Sequence, residues 1–372
     1  MQRRFEFSIR EASGALGDLG TLLPLMLGAI AVGGLSSQPV ILGFAVFYIA
    51  TALVYRLPVP VQPMKAVAAV LLIGGATPAA VALSGVLIGL VLIVLSVSGL
   101  ATRLARLVPQ SVLAGLQLGL GVALGLVALK LLQGAPLFAL VGLAALAAML
   151  WRGWPAAILF LGGAVLAGAV FDLPGLGVEA GGGVAFVGLP AVADVTLAVN
   201  QMVLPQLSLT LMNAVVLTSL IAGDCFKNRA ARVTPKRLAL TSGVANLVLA
   251  PFGALPMCHG AGGVTAHHRF GARTGGAPLM LGAGLLVLAL VPGAMSALGA
   301  VPAAALGALL MVAAVELAAQ KRIVDCMPSC RPVIGVTAAV TVLVDPFFGL
   351  VTGTIAEMIR VAVVRRLMRR AS

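Results

Sequence analysis

Leu57-Pro58-Val59-Pro60-Val61-Gln62-Pro63-Met64-Lys65 and Gly253-Ala254-Leu255-Pro256-Met257-Cys258-His259-Gly260 interrupt a chain that is otherwise close to pure hydrocarbon. Each brings proline and polar residues into an apolar run, and the two lie about half a chain apart. Lipid tolerates broken backbone only where protein buries it or where it lines a cavity. Interrupted hydrophobic segments at matching places in two halves point to a transporter's binding site. Both stretches are therefore read as parts of one site.

The surrounding composition fixes the class. Of 372 residues, 61% are hydrophobic and 9% charged, where a soluble domain carries about 25% charged residues. The chain reads as an all-α polytopic membrane protein in a lipid bilayer. The 45 glycines let transmembrane helices approach closely. No cleavable signal peptide is expected, because Met1-Gln2-Arg3-Arg4-Phe5-Glu6 is polar and no small-residue cleavage site follows a short apolar core. The net charge of +13 does not indicate nucleic acid, since the cations sit in short clusters between apolar runs, as the positive-inside rule describes. Cys225, Cys258, Cys326 and Cys330 give no disulfide framework. Cys326 and Cys330 read as reduced thiols in a basic loop, with a metal clip as the alternative.

About 20 residues cross the hydrocarbon core as a helix. On that measure Leu19 to Tyr55 holds two spans, broken near Gly33 to Pro39, and Ala66 to Thr102 holds a partial and a full span, broken at Gly74 to Pro78. Leu107 to Leu129, Leu131 to Trp151 and Pro155 to Phe171 are single spans, and Val203 to Gly223 follows a glycine-rich loop. Leu238 to His268 is divided around Pro251 to Met257, Thr274 to Val315 at Gly299 to Pro302, and Pro332 to Val344 and Phe347 to Val364 complete the set. The expectation is fourteen elements, two of them half-helices. With Arg3, Arg4 and Arg10 inside, all the cation clusters fall on the cytoplasmic side, including Arg103/Arg106, Lys321/Arg322/Arg331 and the tail Arg365 to Arg370; only Lys130 lands outside. The acidic loop from Asp172 to Asp194 falls outside too. Both termini are thus expected in the cytoplasm, in a plasma membrane of the bacterial inner-membrane type.

Fourteen elements divide as seven plus seven, and an odd number per half forces opposite orientations, an inverted repeat. The first repeat covers residues 1–171, an extracytoplasmic loop 172–202, and the second repeat with its basic tail 203–372. The interruptions then fall before the third and tenth elements, each a short extended strand leading into a half-helix. Pro58, Pro60 and Pro63 favour extension in the residues before them. Both half-helices start near the bilayer midplane with their N-termini facing. Each N-terminus carries roughly +0.5 charge and free N–H groups, and Lys65 adds a full charge, giving about +2, a match for a dianion. The alternative has Lys65 snorkelling to the surface. Cys258, His259, Gly260, Gly262 and Gly263 supply polar groups and approachable backbone, with His259 a hydrogen-bond donor or a cation. A zinc site at His259, His267 and His268 is the weaker reading, and no metal or cofactor is expected.

Four motifs then resemble the molybdate transporter family, related to sulfate permeases within the sulfate permease, anion exchanger and nucleobase permease superfamily. They are Gly14-Ala-Leu-Gly-Asp-Leu-Gly-Thr-Leu-Leu-Pro24, Pro60-Val-Gln-Pro-Met-Lys-Ala66, Met212-Asn-Ala-Val215 through Ala222-Gly-Asp224, and Pro256-Met-Cys-His-Gly-Ala-Gly-Gly263 with Arg269 to Gly275. The resemblance implies core (transport) and gate domains. It also implies an anion site between the third and tenth elements, flanked by the first and eighth. Mapped onto this chain, the substrate-binding residues are Gln62, Met64, Lys65, Asn213, Cys258, His259 and Gly260. Asn213 faces the site or serves as interhelical glue. Asp18 and Asp224 could carry a coupling proton or cation, or pair with an arginine or a helix end. The likeness of Ser13–Asp18 to Ser219–Asp224 is treated as chance, and Glu316 and Glu357 are expected at the interface, ending their helices. Relatives suggest a homodimer through the gate domain. Sulfate permeases carry a C-terminal regulatory domain; the chain ends at Ser372 soon after its last helix, so regulation of that kind is not expected.

The functional expectation is a secondary active transporter for a tetrahedral oxyanion, molybdate first and sulfate second, working by alternating access. A nucleobase-type permease is the alternative, disfavoured because such sites use carboxylates where this chain offers Asn213 and His259. An enzyme or receptor is disfavoured by the lack of a nucleophile–base pair or a signalling domain. Sequence does not separate molybdate from sulfate or tungstate, nor name the coupling ion or the oligomeric state.

Overall fold

The computed structural model describes residues 4–101, 103, 109–176, 183–291 and 296–371. Arg3, Arg106 and Glu179, the predicted N-terminus Met1 to Arg3, the start of the span at Leu107 and the last residue, Ser372, lie outside the described residues, as do the side chains of Lys321, Arg369 and Arg370. The chain is 77% helical. In order it forms α1 (Ile9–Leu16), α2 (Leu19–Ala31), α3 (Ser37–Tyr55), β1 (Gln62–Pro63), α4 (Lys65–Ile73), α5 (Pro78–Val97), α6 (Gln110–Leu132), α7 (Pro136–Trp151) and α8 (Ala156–Val170). There follow α9 (Val192–Arg232), α10 (Pro235–Leu249), β2 (Met257–Cys258), α11 (Ala261–Arg269), α12 (Gly276–Leu290), α13 (Ala303–Ala318), α14 (Arg331–Leu343) and α15 (Pro346–Ala371).

Among the described residues five helices are long and apolar enough to cross a bilayer, or six if α1 and α2, bent by 47° at Gly17–Asp18, count as one. This is coarser than the fourteen elements expected. The reason is length: helices of 13 to 16 residues such as α2, α7, α12 and α13 reach about 20–24 Å, less than the ~30 Å hydrocarbon core. The outer face is apolar, with Leu137, Leu140, Leu166, Val170, Ile355 and Met358 all exposed. In water such a surface would drive association; in lipid it is solvated.

Two boundaries depart from the sequence reading. The break after α6 falls at Gln133–Ala135, so Leu131 and Lys130 belong to α6. Lys130 sits in its last turn, where the dipole favours a cation. The helix expected from Val203 begins at Val192. Asp194 fixes that start: its carboxylate accepts from Ala191 N–H (2.9 Å) and from the Thr77 hydroxyl (2.6 Å). Glu357 lies inside α15 rather than at its end, paired with Arg360 at 2.6 Å, and accepts from Ser111 of α6.

Small residues set the helix contacts. A Cβ on Gly89 of α5 would sit 2.8 Å from the Gly243 carbonyl of α10, and a Cβ on Gly282 of α12 would sit 3.0 Å from the Ala45 carbonyl of α3. The main packed pairs are α3 with α12, α5 with α10, α6 with α13 and α14, and α14 with α15. In the middle of this bundle β1 and β2 form one antiparallel pair, Gln62 opposite Cys258 and Pro63 opposite Met257. At one end Arg56 is crowded: partial desolvation, then Arg232 and Arg4, lower its guanidinium from the ordinary value.

Candidate functional site

The expected extended-strand-then-half-helix units are present in both halves. Pro60 and Pro63 keep the chain before Lys65 from being helical, and β1 leads straight into α4. The strand ladder continues one step beyond β1, because Met64 N–H donates to the Pro256 carbonyl at 2.9 Å. On the other side Asn246 of α10 takes the place of a strand neighbour. Its Oδ1 accepts from Met257 N–H (2.8 Å) and its Nδ2 donates to the Met257 carbonyl (2.6 Å). Buried backbone must be paired, and these contacts pair it where both helices are broken.

The N-terminus of α4 is capped from α9. Gln206 Oε1 accepts from Ala66 N–H at 2.8 Å, and its Nε2 donates to the Thr210 hydroxyl at 2.9 Å. Gln206 sits between two π-helical stretches, Ala198–Val203 and Thr210–Leu217. Each inserts a residue into the i→i+4 ladder, the kind of irregularity that recurs at functional sites. Lys65 is half-buried in the first turn of α4. Among the described residues the one ion pair is Glu357–Arg360, so Lys65 has no carboxylate within salt-bridge distance.

The N-terminus of α11 is arranged differently. Gly260 is its N-cap. Its missing side chain leaves room for the Gln62 carboxamide, into which a Cβ there would run. Asp18, 1% exposed at the bend between α1 and α2, lies against the first turn: a Cβ on Gly263 would sit 2.5 Å from its Oδ1 and 2.6 Å from Pro60 Cβ. The carboxylate accepts from Tyr48 OH at 2.7 Å and from Gln62 Nε2 at 2.5 Å. Its partners are thus Tyr48 and Gln62, not an arginine.

Between the two N-termini lies a cavity of about 20 Å³. Of the residues expected in the site, Gln62, Lys65, Asn213, Cys258 and His259 line it. Met64 does not; its side chain is fully buried in the core and its N–H is spent on Pro256. Gly260 serves Gln62. Asp18 stands behind Gln62, and Asp224 is exposed near the far end of α9. His259 differs from the donor expected. Its Nδ1 donates to the Pro60 carbonyl (2.8 Å), and its Nε2 is 2.8 Å from the Thr241 hydroxyl, which also meets Tyr55 OH at 2.7 Å. With both ring nitrogens engaged, His259 acts as a strut between β1 and α10. His267 Nδ1 donates to the Gly14 carbonyl at 2.7 Å, and the His268 ring sits edge-on to Phe226, so the three histidines do not converge.

Three further polar residues line the cavity: Gln206, Thr210 and Gln117. Gln117 comes from α6, across from both half-helices, and its Oε1 is buried without a partner. Each stands in an apolar run, and a glutamine within a span is itself a signal, since polar groups in a membrane are costly unless partnered or functional. Which way each faces was decided by the fold.

Similarity to known proteins agrees with this geometry. The fold matches the transmembrane domain of a cyanobacterium bicarbonate transporter, BicA, with a TM-score of 0.73 at 17% identity over 92% of this chain and 97% of that one. It also matches the murine Solute Carrier 26 family member A9 anion transporter in its inward-facing state, with a TM-score of 0.74 at 15% identity over 96% of this chain and 69% of that one. The chain therefore has the fold of a membrane anion transporter. In sequence, the family described as "Molybdate transporter of MFS superfamily" matches residues 10–124 and 198–317. Molybdate transporter 1 of Arabidopsis thaliana is 30% identical over 86% of this chain and 81% of its own length. Molybdate transporter 2 of the same plant is 28% identical over 83% and 78%. The chain belongs to the molybdate transporter family.

Proposed function

We propose that this protein is a secondary active transporter, not an enzyme, that carries a tetrahedral oxyanion, molybdate first and sulfate second. The observation that carries the reading is Lys65: a cation without a carboxylate partner among the described residues, in the first turn of a half-helix, on a small polar cavity opposite a second half-helix N-terminus. Two half-helix ends and one lysine sum to about +2. Gln62, Gln117, Thr210 and Asn213 supply or accept hydrogen bonds around the anion. A cavity of about 20 Å³ has room for one or two waters, so an oxyanion enters with movement of the surrounding helices, as alternating access requires. A nucleobase reading would want an open carboxylate; Asp18 is the acid at the site, and Tyr48 and Gln62 occupy its oxygens. Uptake of labelled molybdate into proteoliposomes, competed with sulfate and tungstate, tests the reading. Uptake by the folded Lys65→Ala protein equal to that of the wild type would remove the site assignment.

We read the architecture as two inverted repeats of seven, residues 1–171 and, with the first helix of the second repeat starting at Val192, residues 192–372, divided into core and gate domains. The packing supports it. Under a seven-element shift the pair α3·α12 exchanges with α10·α5, α6·α13 maps onto itself, and β1 pairs with β2. The loop charges support cytoplasmic termini, with a bacterial-type plasma membrane as the expected setting, and the crowding of Arg4, Arg56 and Arg232 at one end fits the positive-inside rule. Labelling of single cysteines placed in the loops from either side tests the orientation. A homodimer through the gate domain is the expected assembly, tested by cross-linking in the membrane.

A further inference from the structure

We propose that Asp18 is the coupling proton site of this transporter, and that its protonation turns the Gln62 carboxamide from facing the anion with an acceptor to facing it with a donor. The proposal rests on the oxyanion reading of the cavity. It begins with the inequality of the two half-helices. The α4 end has a neutral cap, Gln206, and a cation, Lys65. The α11 end has an acid against its first turn, Asp18. Both Asp18 oxygens accept, one from Tyr48 and one from Gln62, which is the pattern of an ionised carboxylate. In that form the site sums to about +1: two helix ends, plus Lys65, minus Asp18. A dianion is not neutralised there. With Asp18 protonated the sum is about +2.

The proton also changes the hydrogen bonding. A protonated Asp18 carries an O–H that needs an acceptor, and at 1% exposure none comes from bulk water. Gln62 already touches Oδ1 through Nε2, while its Oε1 lies at Gly260, the N-cap of α11. A half-turn of the carboxamide brings Oε1 onto the new Asp18 O–H and presents the NH2 group at Gly260 and the cavity. One O–H bond forms at Asp18 as one O–H bond of a hydronium ion breaks and leaves water, and no other bond is made or broken. A second cavity of about 260 Å³ supplies the route, lined by Gly17 and Gly20 on either side of Asp18, by Gly262 and Arg269 of α11, and by Glu316 of α13. The Thr21 hydroxyl donates to Glu316 at 3.4 Å.

The titratable and charged groups facing Asp18 are Tyr48 of α3, Lys65 of α4, His267 of α11 and Glu316 of α13. Tyr48 donates to the carboxylate, and an anion bound at Lys65 offsets the charge of that lysine. His267 Nε2 is buried without a partner, and the experiment separates it and Glu316 from Asp18.

The test is calorimetric titration of the purified protein with molybdate and with sulfate, in buffers of different ionisation heat, at mildly acidic and mildly alkaline pH. Sulfate stays a dianion throughout, which separates protonation of the protein from that of the ligand. The wild type is expected to take up about one proton per anion at the alkaline end, with affinity falling up to about tenfold per pH unit as pH rises. The sign follows because binding raises the proton affinity of Asp18, so the advantage is lost as pH climbs. Asp18→Asn is expected to bind with no proton uptake and no such slope. Glu316→Gln and His267→Gln are expected to keep the proton. Wild-type binding without uptake, a proton retained in Asp18→Asn, or its loss in Glu316→Gln or His267→Gln overturns the proposal. If Asp18→Asn does not fold, Tyr48→Phe decides. Losing that donor, it should keep the proton count and move the midpoint of the affinity profile to higher pH, and an unmoved midpoint overturns the proposal. No wild-type binding of either anion overturns the oxyanion reading together with it; binding without protons overturns the coupling alone.

Discussion

The two half-helices begin alike and end up chemically opposed. Each follows a two-residue strand, and the strands pair with one another. Yet the first start is capped by an uncharged glutamine and carries a lysine, while the second is packed against a buried aspartate. Backbone geometry is what the two starts share, because proline, glycine and pairing needs fix it locally. Charge is what they do not share: Lys65 belongs to the first turn of α4 itself, whereas the acid against α11 is Asp18, at the bend before α2. Two similar backbone starts thereby hold an asymmetric site, with a lysine at one end and an aspartate at the other.

The largest blow to that asymmetry is the loss of Lys65. Lys65→Ala should cut molybdate uptake by about 100-fold or more, the scale of a lost charge-assisted contact, with the protein still monodisperse by size-exclusion chromatography; Lys65→Arg should retain part of the activity. Asn246→Ala comes next. It strips both partners from the buried Met257 backbone and should lower the stability of the second unit by about 1–3 kcal/mol, seen as a fall in thermal midpoint.

Two neighbouring glycines sharpen the comparison further. Gly263→Ala would drive a Cβ into Asp18 and Pro60, whereas Gly262→Ala meets nothing within 4 Å. The first should cost about 1–3 kcal/mol and disturb anion binding, the second should leave the thermal midpoint within experimental error, and equal effects would show that Asp18 does not lie against that turn. Truncation of the neutral cap should be milder than the loss of Lys65 or Asn246. Gln206→Ala should destabilise by about 1 kcal/mol and alter anion affinity only several-fold, whereas Gln206→Glu, which sets a negative charge beside Lys65, should suppress uptake.

Much of this was legible beforehand. Pro58, Pro60 and Pro63 announced extended backbone, and Gly74 to Pro78 and Gly33 to Pro39 announced the helix breaks, because proline and glycine act through the local chain. Gln62, Lys65, Asn213, Cys258 and His259 were legible as polar groups in apolar sequence, and they do line one cavity. Their tasks were less legible. His259 looked like a donor and is a strut, since Pro60 and Thr241, distant in sequence, take its nitrogens. Asp18, like Asp224, read as an acid that could carry a coupling proton or pair with an arginine or a helix end. The 47° bend beside it turns it inward to Tyr48 and Gln62, while Asp224 stays exposed.

The sequence by itself determined that the chain lives in lipid, where its helices break, and that a lysine stands at one of those breaks, because hydropathy and backbone preference are properties of short segments. Only the tertiary structure decided that the two breaks pair as strands, that Gln117 and Gln206 turn toward the cavity, and that a carboxylate backs the second half-helix. Those facts depend on which helix faces which across the bundle. That is set by close packing at residues such as Gly89 and Gly243, whose partners lie far away in sequence.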